Sequence, residues 1–239
     1  MRPVDLQVVL RSQQLRYFSG DRQRRLVDLL KAADTGIVDI EVEVELLEDP
    51  DSTTQSTRPP RLRGSRIKFL HCGSGTDAYF NLHDESSGTQ KLLALGIIAI
   101  QVLDAGGTLV IDELDASLHP LLTTQIIELF RATDTNPLRA QLLFTTHDAA
   151  LLGSINGQDV LKRDEIWFAE KDAEGASAIY SLAEFKPRKM GENRARRYLN
   201  GSYGALPDIS TELFATALRT RQESPLSVEA GPDHAGARA

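Results

Sequence analysis

Two apolar runs constrain this chain most: Gly107–Asp112 (GTLVID) and Ala140–Thr146 (AQLLFTT), each too short for a helix and too apolar for a surface strand. Between them Pro120–Ala132 carries apolar residues at helical spacing, with a proline in the first turn, where its missing N–H leaves no bond unmade. Strand, helix, strand in that order, with both strands continuously apolar, specifies a parallel sheet whose strands are buried. Such sheets carry their chemistry at the carboxyl ends of the strands. The first run ends in Asp112 and Glu113, and the second is followed by His147. An α/β fold with a mostly parallel sheet is therefore expected.

Further elements read from local pattern. Ser19–Ala33 places Leu26, Val27, Leu29 and Leu30 at helical spacing, and Ile37–Leu47 alternates Ile40, Val42, Val44 and Leu46 with acids, predicting a half-exposed strand. The segment 48–65 is rich in Pro, Ser and Thr and reads as a mobile loop. Strands are then expected at Arg66–His71 and Asp77–Leu82 around a Gly73-Ser74-Gly75 turn, which makes an antiparallel β portion near the N-terminus. From Glu85 onward SSGTQKLLALGIIAIQVL has a serine pair for capping, no proline and a long apolar face, as a buried helix requires. Strands at Glu165–Ala169 and Ala176–Ser181 and a charged helix near Glu192–Leu199 follow, and the Gly/Pro/Ser-rich end from Glu223 is expected to be disordered.

Composition narrows the function classes. Acids exceed bases, 34 to 27, for a net charge of −7, so coating nucleic acid by overall charge is excluded and any such role must be local. The local candidate is the basic run Arg58, Arg61, Arg63, Arg66 and Lys68, for which a solvated loop is the simpler reading. The single cysteine, Cys72, can form no internal disulfide, and His71, His83, His119 and His147 match no compact metal-binding spacing. The N-terminus lacks a leader-like apolar stretch, and the longest apolar segment, Leu92–Leu103, is interrupted by Gln101 and too short to cross a bilayer. A cytoplasmic chain without a membrane partner is expected.

Three sites carry chemistry. Adjacent side chains of a strand point oppositely, so of the pair Asp112 and Glu113 one acid can serve a Mg²⁺ held by nucleotide phosphates while the other polarises a water for attack on the γ-phosphate. An ordinary acidic strand end is an equal reading of those residues alone. Ser86-Ser87-Gly88-Thr89-Gln90 opens the long helix, where backbone N–H groups, a hydroxyl and the helix dipole suit an anion; a plain N-cap accounts for the same pattern. His147 could donate to a phosphate oxygen, or be a satisfied polar residue at a strand end.

In order, Ser86-Ser-Gly-Thr-Gln, Leu109-Val-Ile-Asp112-Glu113-Leu-Asp115-Ala-Ser-Leu and Phe144-Thr-Thr-His147-Asp148 resemble the signature, Walker B, D-loop and switch-histidine series of ABC-type ATPases. The likeness is to the SMC/RecF/OLD-like branch, particularly the AAA-type-core ATPases of bacterial abortive-infection and phage-defence loci. The His119-Pro120 pair and Tyr198-Leu-Asn-Gly-Ser-Tyr203-Gly-Ala-Leu-Pro207 add to it, over roughly Ile37 to Pro207. The resemblance implies a P-loop NTPase-like fold using ATP and Mg²⁺, with Asp112 on the metal side, Glu113 as catalytic carboxylate and His147 as γ-phosphate sensor. It implies that the signature residues Ser86, Ser87, Gly88, Thr89 and Gln90 form the nucleotide-binding turn, with Ser86 and Gly88 contacting nucleotide on the opposite subunit, and that Asp115 and Ser117 lie along the dimer interface. Ser87 and Thr89 depart from the LSGGQ spelling, and Glu85 stands where a Leu is frequent.

The expected organisation is a helical segment over 1–36, the antiparallel β portion over 37–84, the ATPase core over 85–209, and a C-terminal helix with tail over 210–239. No GxxxxGK[ST] string occurs in the 239 residues. The chain therefore resembles the C-terminal part of such an ATPase, with an incomplete sheet, its Walker A part lost by truncation, carried by another chain, or never present. Two functions follow: ATP hydrolysis within a homodimer or higher oligomer that switches an effector protein in phage defence or DNA maintenance, or a non-catalytic scaffold that binds a partner protein.

Overall fold

The computed structural model describes residues 20–46, 62–73, 78–155, 157–186 and 192–219. Its centre is a long helix, α2 (Ser87–Ala105), around which the earlier elements α1 (Asp21–Ala32), β1 (Ile37–Leu46), β2 (Leu62–His71) and β3 (Ala78–Asn81) and the later ones β4 (Thr108–Ile111), α3 (Pro120–Arg131) and β5 (Gln141–Phe144) are arranged. Every residue from Leu92 to Ile100 is buried, which is why the segment is apolar all round rather than along one stripe. At 19 residues α2 is long and apolar enough to cross a membrane, longer than its uninterrupted apolar run suggests, but its middle is buried against protein. Gly106 ends the helix in the left-handed conformation (φ 69°), where a Cβ would stand 3.0 Å from the Leu138 carbonyl oxygen.

Helix α1 packs on α2 through Leu26, Val27 and Leu30. The approach is close: a Cβ at Gly96 would lie 2.8 Å from Leu26 Cδ1. Asp104 sits at the carboxyl end of α2, where a negative charge opposes the helix dipole. Arg22 (2.9 Å) and Arg25 (2.8 Å) of α1 offset it. Partial desolvation works against ionisation of Asp104, but the hydrogen bonds and charges of Arg25 and Arg22 outweigh it and hold the carboxyl below its ordinary range. A depressed carboxyl stabilises the fold above its unfolded pKa, and the effect is lost as pH falls through the folded value. Asp104→Asn is therefore expected to lower Tm by about 1–4 °C at pH 7, the pair being partly exposed, and by less at a pH below the ordinary carboxyl range. Thermal melts of parent and variant at the two pH values check this.

Strands β1, β2 and β3 form an antiparallel sheet in that order, with Ile40 opposite Phe69 and Phe69 opposite Phe80. Ile37, Ile40, Ile67 and Phe69 enter the core. Strand β2 begins at Leu62, paired with Leu46, so the loop expected over 48–65 is shorter at its far end: backbone pairing to β1 overrides the loop-like composition of 62–65. Residues 47–61, and with them Arg58 and Arg61 of the expected basic run, lie outside the described residues, as do 74–77 of the expected turn, whereas Arg63, Arg66 and Lys68 belong to β2.

Strands β4 and β5 pair in parallel, Thr108 with Gln141 through Ile111 with Phe144, joined across α3 as the sequence predicts. Helix α3 starts at Pro120 with His119 as its cap, the ring Nδ1 accepting from the Leu121 N–H at 3.2 Å. Leu109 and Ile111 are buried, whereas Leu143 is 63% exposed. The expectation that both strands are buried thus holds for β4 and not for β5, which among the described residues pairs with β4 alone.

The short strands β6 (Ser154–Ile155) and β7 (Gln158–Asp159) lead to the hairpin β8 (Trp167–Lys171) and β9 (Ser177–Ser181), the helix α4 (Arg194–Leu199) and a last helix α5 (Thr211–Arg219). A second core of Leu152, Ile166, Phe168, Leu182 and Tyr203 forms here, with Phe168 stacked on Tyr198 and Tyr203. The Tyr198–Pro207 segment thus serves packing: Tyr203 is 1% exposed, its carbonyl accepts from Tyr180 Oη at 2.8 Å, and Gly204 (φ 71°) sits where a Cβ would meet that hydroxyl. Desolvation, with Glu170 alongside, raises the Tyr180 pKa and keeps it a donor. The tail expected from Glu223 lies outside the described residues.

Candidate nucleotide site

Two converging structures make the site: the N-terminus of α2 and the carboxyl ends of β4 and β5. Ser86 caps α2, its Oγ accepting from the Thr89 N–H at 3.1 Å and lying 2.9 Å from Thr89 Oγ1. Ser87 is exposed in the first turn. Gln90 turns back, its Nε2 donating to the Glu85 carbonyl at 2.9 Å, so that its amide braces the turn from behind. Gly88 has no room for a side chain, because a Cβ there would stand 2.7 Å from the Ser117 carbonyl oxygen. That contact presses the first turn of α2 against the loop after β4, and Ser117 itself is in the left-handed region (φ 63°).

At the end of β4, Asp112 and Glu113 are exposed. Thr145, the residue just after β5, organises both: its hydroxyl donates to Asp112 Oδ1 and accepts from the Glu113 N–H at 2.9 Å. Glu113 has φ 52°, rare for a residue with a side chain. Its carbonyl accepts from Ala116 N–H at 3.1 Å and from Lys91 Nζ of α2 at 2.6 Å. Desolvation lowers the Lys91 pKa, while Asp115 and Glu113 work in the opposite direction. Asp115 is buried at 9% exposure and faces into the chain, accepting from Thr146 Oγ1 at 2.6 Å and contacting His147 Nε2 at 3.1 Å. The His147 ring is otherwise open, 74% exposed.

The parallel pairing therefore brings Asp112, Glu113, Asp115 and His147 to one end of the sheet, and the Gly88–Ser117 contact brings the first turn of α2 beside it. A cleft of about 430 Å³ runs along that turn, lined among others by Asp34, Thr35, Ser86, Thr89, Ser117 and His119. A larger one, about 600 Å³, lies at Glu170 and Tyr203, among none of these acids.

Several residues escaped the sequence pattern. Thr145 and Thr146 are readable once the parallel register is assumed, since the residue after Phe144 must face the residue after Ile111. Lys91 and the His71–Glu85 pair have no local signal. His71 Nε2 lies 2.6 Å from Glu85 Oε1, whose side chain is only 7% exposed, which ties β2 to the residue preceding Ser86. That a Glu stands where the resemblance led one to expect Leu is thus accounted for: it is paired.

The donor set fits Mg²⁺ in the presence of phosphates. Among the described residues no group of three or more His, Cys, Asp or Glu side chains could hold a metal alone. A single exposed carboxylate, Asp112, suits a cation that keeps most of its shell as water and phosphate oxygens.

Residues 10–153 match the protein family described as "AAA domain, putative AbiEii toxin, Type IV TA system". The Septu protein PtuA of Bacillus mycoides (strain KBAB4) is 31% identical over 147 residues, which make up 58% of this chain, and the chain spans only 19% of that relative's length. A solved chain from work on ATP-driven dimerization and DNA-stimulated activation of SMC ATPases is similar at TM-score 0.43 and 14% identity, covering 82% of this chain and 100% of that one. The Smc head domain with a coiled coil and joint derived from Pyrococcus yayanosii is similar at TM-score 0.46 and 17% identity, covering 76% of this chain and 29% of that one.

Proposed function

This chain belongs to that AAA-domain family, and on that premise we propose that it is the signature-, Walker B- and switch-histidine-bearing part of an SMC/RecF/OLD-like ATPase of phage defence, hydrolysing ATP at a composite interface between two copies. The observation that carries the reading is the parallel pairing of β4 with β5, which sets Glu113 and His147 at one sheet end while Ser117 abuts Gly88 of the signature turn.

In this reading Glu113 holds and polarises the attacking water, its backbone gripped on both sides and its side chain exposed. His147, steadied by Asp115, donates to the γ-phosphate. Ser86, the N–H groups of Ser87 and Gly88, the Thr89 hydroxyl and the dipole of α2 receive the phosphates of the partner copy's nucleotide, and Gln90 keeps the turn in shape. Asp112 would hold the Mg²⁺, which neutralises phosphate charge when bound. Ser117 presents the loop after β4 to the partner copy, and Asp115 supports that loop from within. The effector protein, and any nucleic acid, would be engaged by other parts of the assembly.

Because no GxxxxGK[ST] string is present, the 239-residue chain alone is expected to bind Mg-ATP no more tightly than about millimolar, since most phosphate-binding N–H groups and their lysine are wanting. Adding a segment or partner chain that carries the string should bring binding to the micromolar range together with turnover. Calorimetry that finds micromolar Mg-ATP binding to the chain alone would overturn the composite site. A restored assembly that binds ATP without hydrolysing it favours the scaffold reading, which the absent string supports.

A further inference from the structure

Resting on the reading of Glu113 as the hydrolytic carboxylate, we propose that Lys91 is a positioning residue for it, a strut between the signature helix and the backbone of the catalytic acid. Lys91 lies one turn after Ser87, about 6 Å along α2 at 1.5 Å per residue. Its Nζ reaches 22 residues across the chain to the Glu113 carbonyl at 2.6 Å. That carbonyl belongs to a residue held at φ 52°, a conformation that costs about 1–2 kcal/mol and persists only where the surroundings impose it. The surroundings here are three donors and acceptors: Thr145 Oγ1 on the N–H, and Ala116 N–H and Lys91 Nζ on the carbonyl. Of these, Lys91 alone is charged, making the strongest of the three bonds, and it alone comes from α2.

The consequence is mechanical. The helix end that would touch the partner's nucleotide and the acid that would act on the chain's own nucleotide are joined by one side chain. A shift of the signature turn on closure would be passed through Lys91 to the Glu113 backbone, so that engagement at one half-site sets the acid of the other. Nothing in the local sequence marks Lys91, and removing its ammonium leaves the stem to fill the same space.

The test uses Lys91→Met, which keeps the stem, and Lys91→Arg, which keeps a donor and charge. In the 239-residue chain, amide hydrogen exchange over 112–118 should quicken at least about tenfold in Lys91→Met and stay within about threefold of the parent in Lys91→Arg, with the middle of α2 unchanged. Unchanged exchange over 112–118 in Lys91→Met, or a rise spread equally through α2, would overturn the strut. In the ATP-hydrolysing assembly Lys91→Met should lower kcat by about 10–100-fold with KM for ATP within twofold, and Lys91→Arg should recover most of it. A change in KM alone overturns the positioning role. If the parent assembly hydrolyses no ATP, the function reading fails and Lys91's catalytic role with it, while the exchange experiment still decides whether the strut exists.

Discussion

Glu113→Gln is expected to abolish turnover in an assembly that contains the Walker A part, by about 10²–10⁴-fold, while ATP binding persists and the nucleotide-bound dimer lives longer. The amide is nearly isosteric with the carboxylate, and the backbone that aims it is held independently of the side chain, by Thr145, Ala116 and Lys91. The substitution therefore leaves the backbone geometry in place and removes the negative charge that, in the proposed mechanism, polarises water. An interaction needed mainly in the transition state lowers kcat without raising KM. Steady-state kinetics with a dissociation-rate measurement on the dimer check this, and wild-type turnover in the variant would remove Glu113 from the mechanism.

Ser86→Arg should behave in the opposite way, reducing dimerisation and hydrolysis together by at least about tenfold. It removes the cap that Ser86 Oγ makes with Thr89 N–H, at a cost of about 1 kcal/mol to the helix end, and sets a long cation at the turn that would face the partner copy. Gly88→Ala tests the same surface from the other side. Its Cβ would lie 2.7 Å from the Ser117 carbonyl, and backbone cannot yield as a flexible side-chain tip does, so the loop after β4 must move away from the turn. Analytical ultracentrifugation with Mg-ATP, alongside ATPase assays, separates these variants from Glu113→Gln: dimers that vanish in one case accumulate in the other. Parent-like dimerisation and turnover in both Ser86→Arg and Gly88→Ala would withdraw the signature assignment.

How much of this was legible in the residues depends on how far each feature reaches along the chain. Helices, strands and caps are local. The apolar run of α2, the strict alternation of β1, the proline at the start of α3 and the serine before α2 each carry their reason within a few residues. The parallel pairing of β4 and β5 was legible too, because strand, helix, strand leaves few other topologies. The far end of 48–65 departs from its local pattern for the complementary reason: strand residues 62–65 have loop-like composition, and only the partner strand decides their state.

By itself, then, the sequence determined the elements, the order in which they are threaded, and the strand ends on which Asp112, Glu113 and His147 stand, since spacing, apolar period and capping chemistry act over one or two turns of chain. The tertiary structure decided which groups hold those residues still: Lys91 on the Glu113 carbonyl across 22 residues, Thr146 on Asp115 across 31, and His71 on Glu85. It decided as well that Leu143 is exposed while Leu109 is buried, although both belong to similar apolar runs. The physical reason is the same in each case. A hydrogen bond or a buried face needs a second segment at a distance of a few ångströms, and which segment arrives there is a property of the packed whole that no local pattern records.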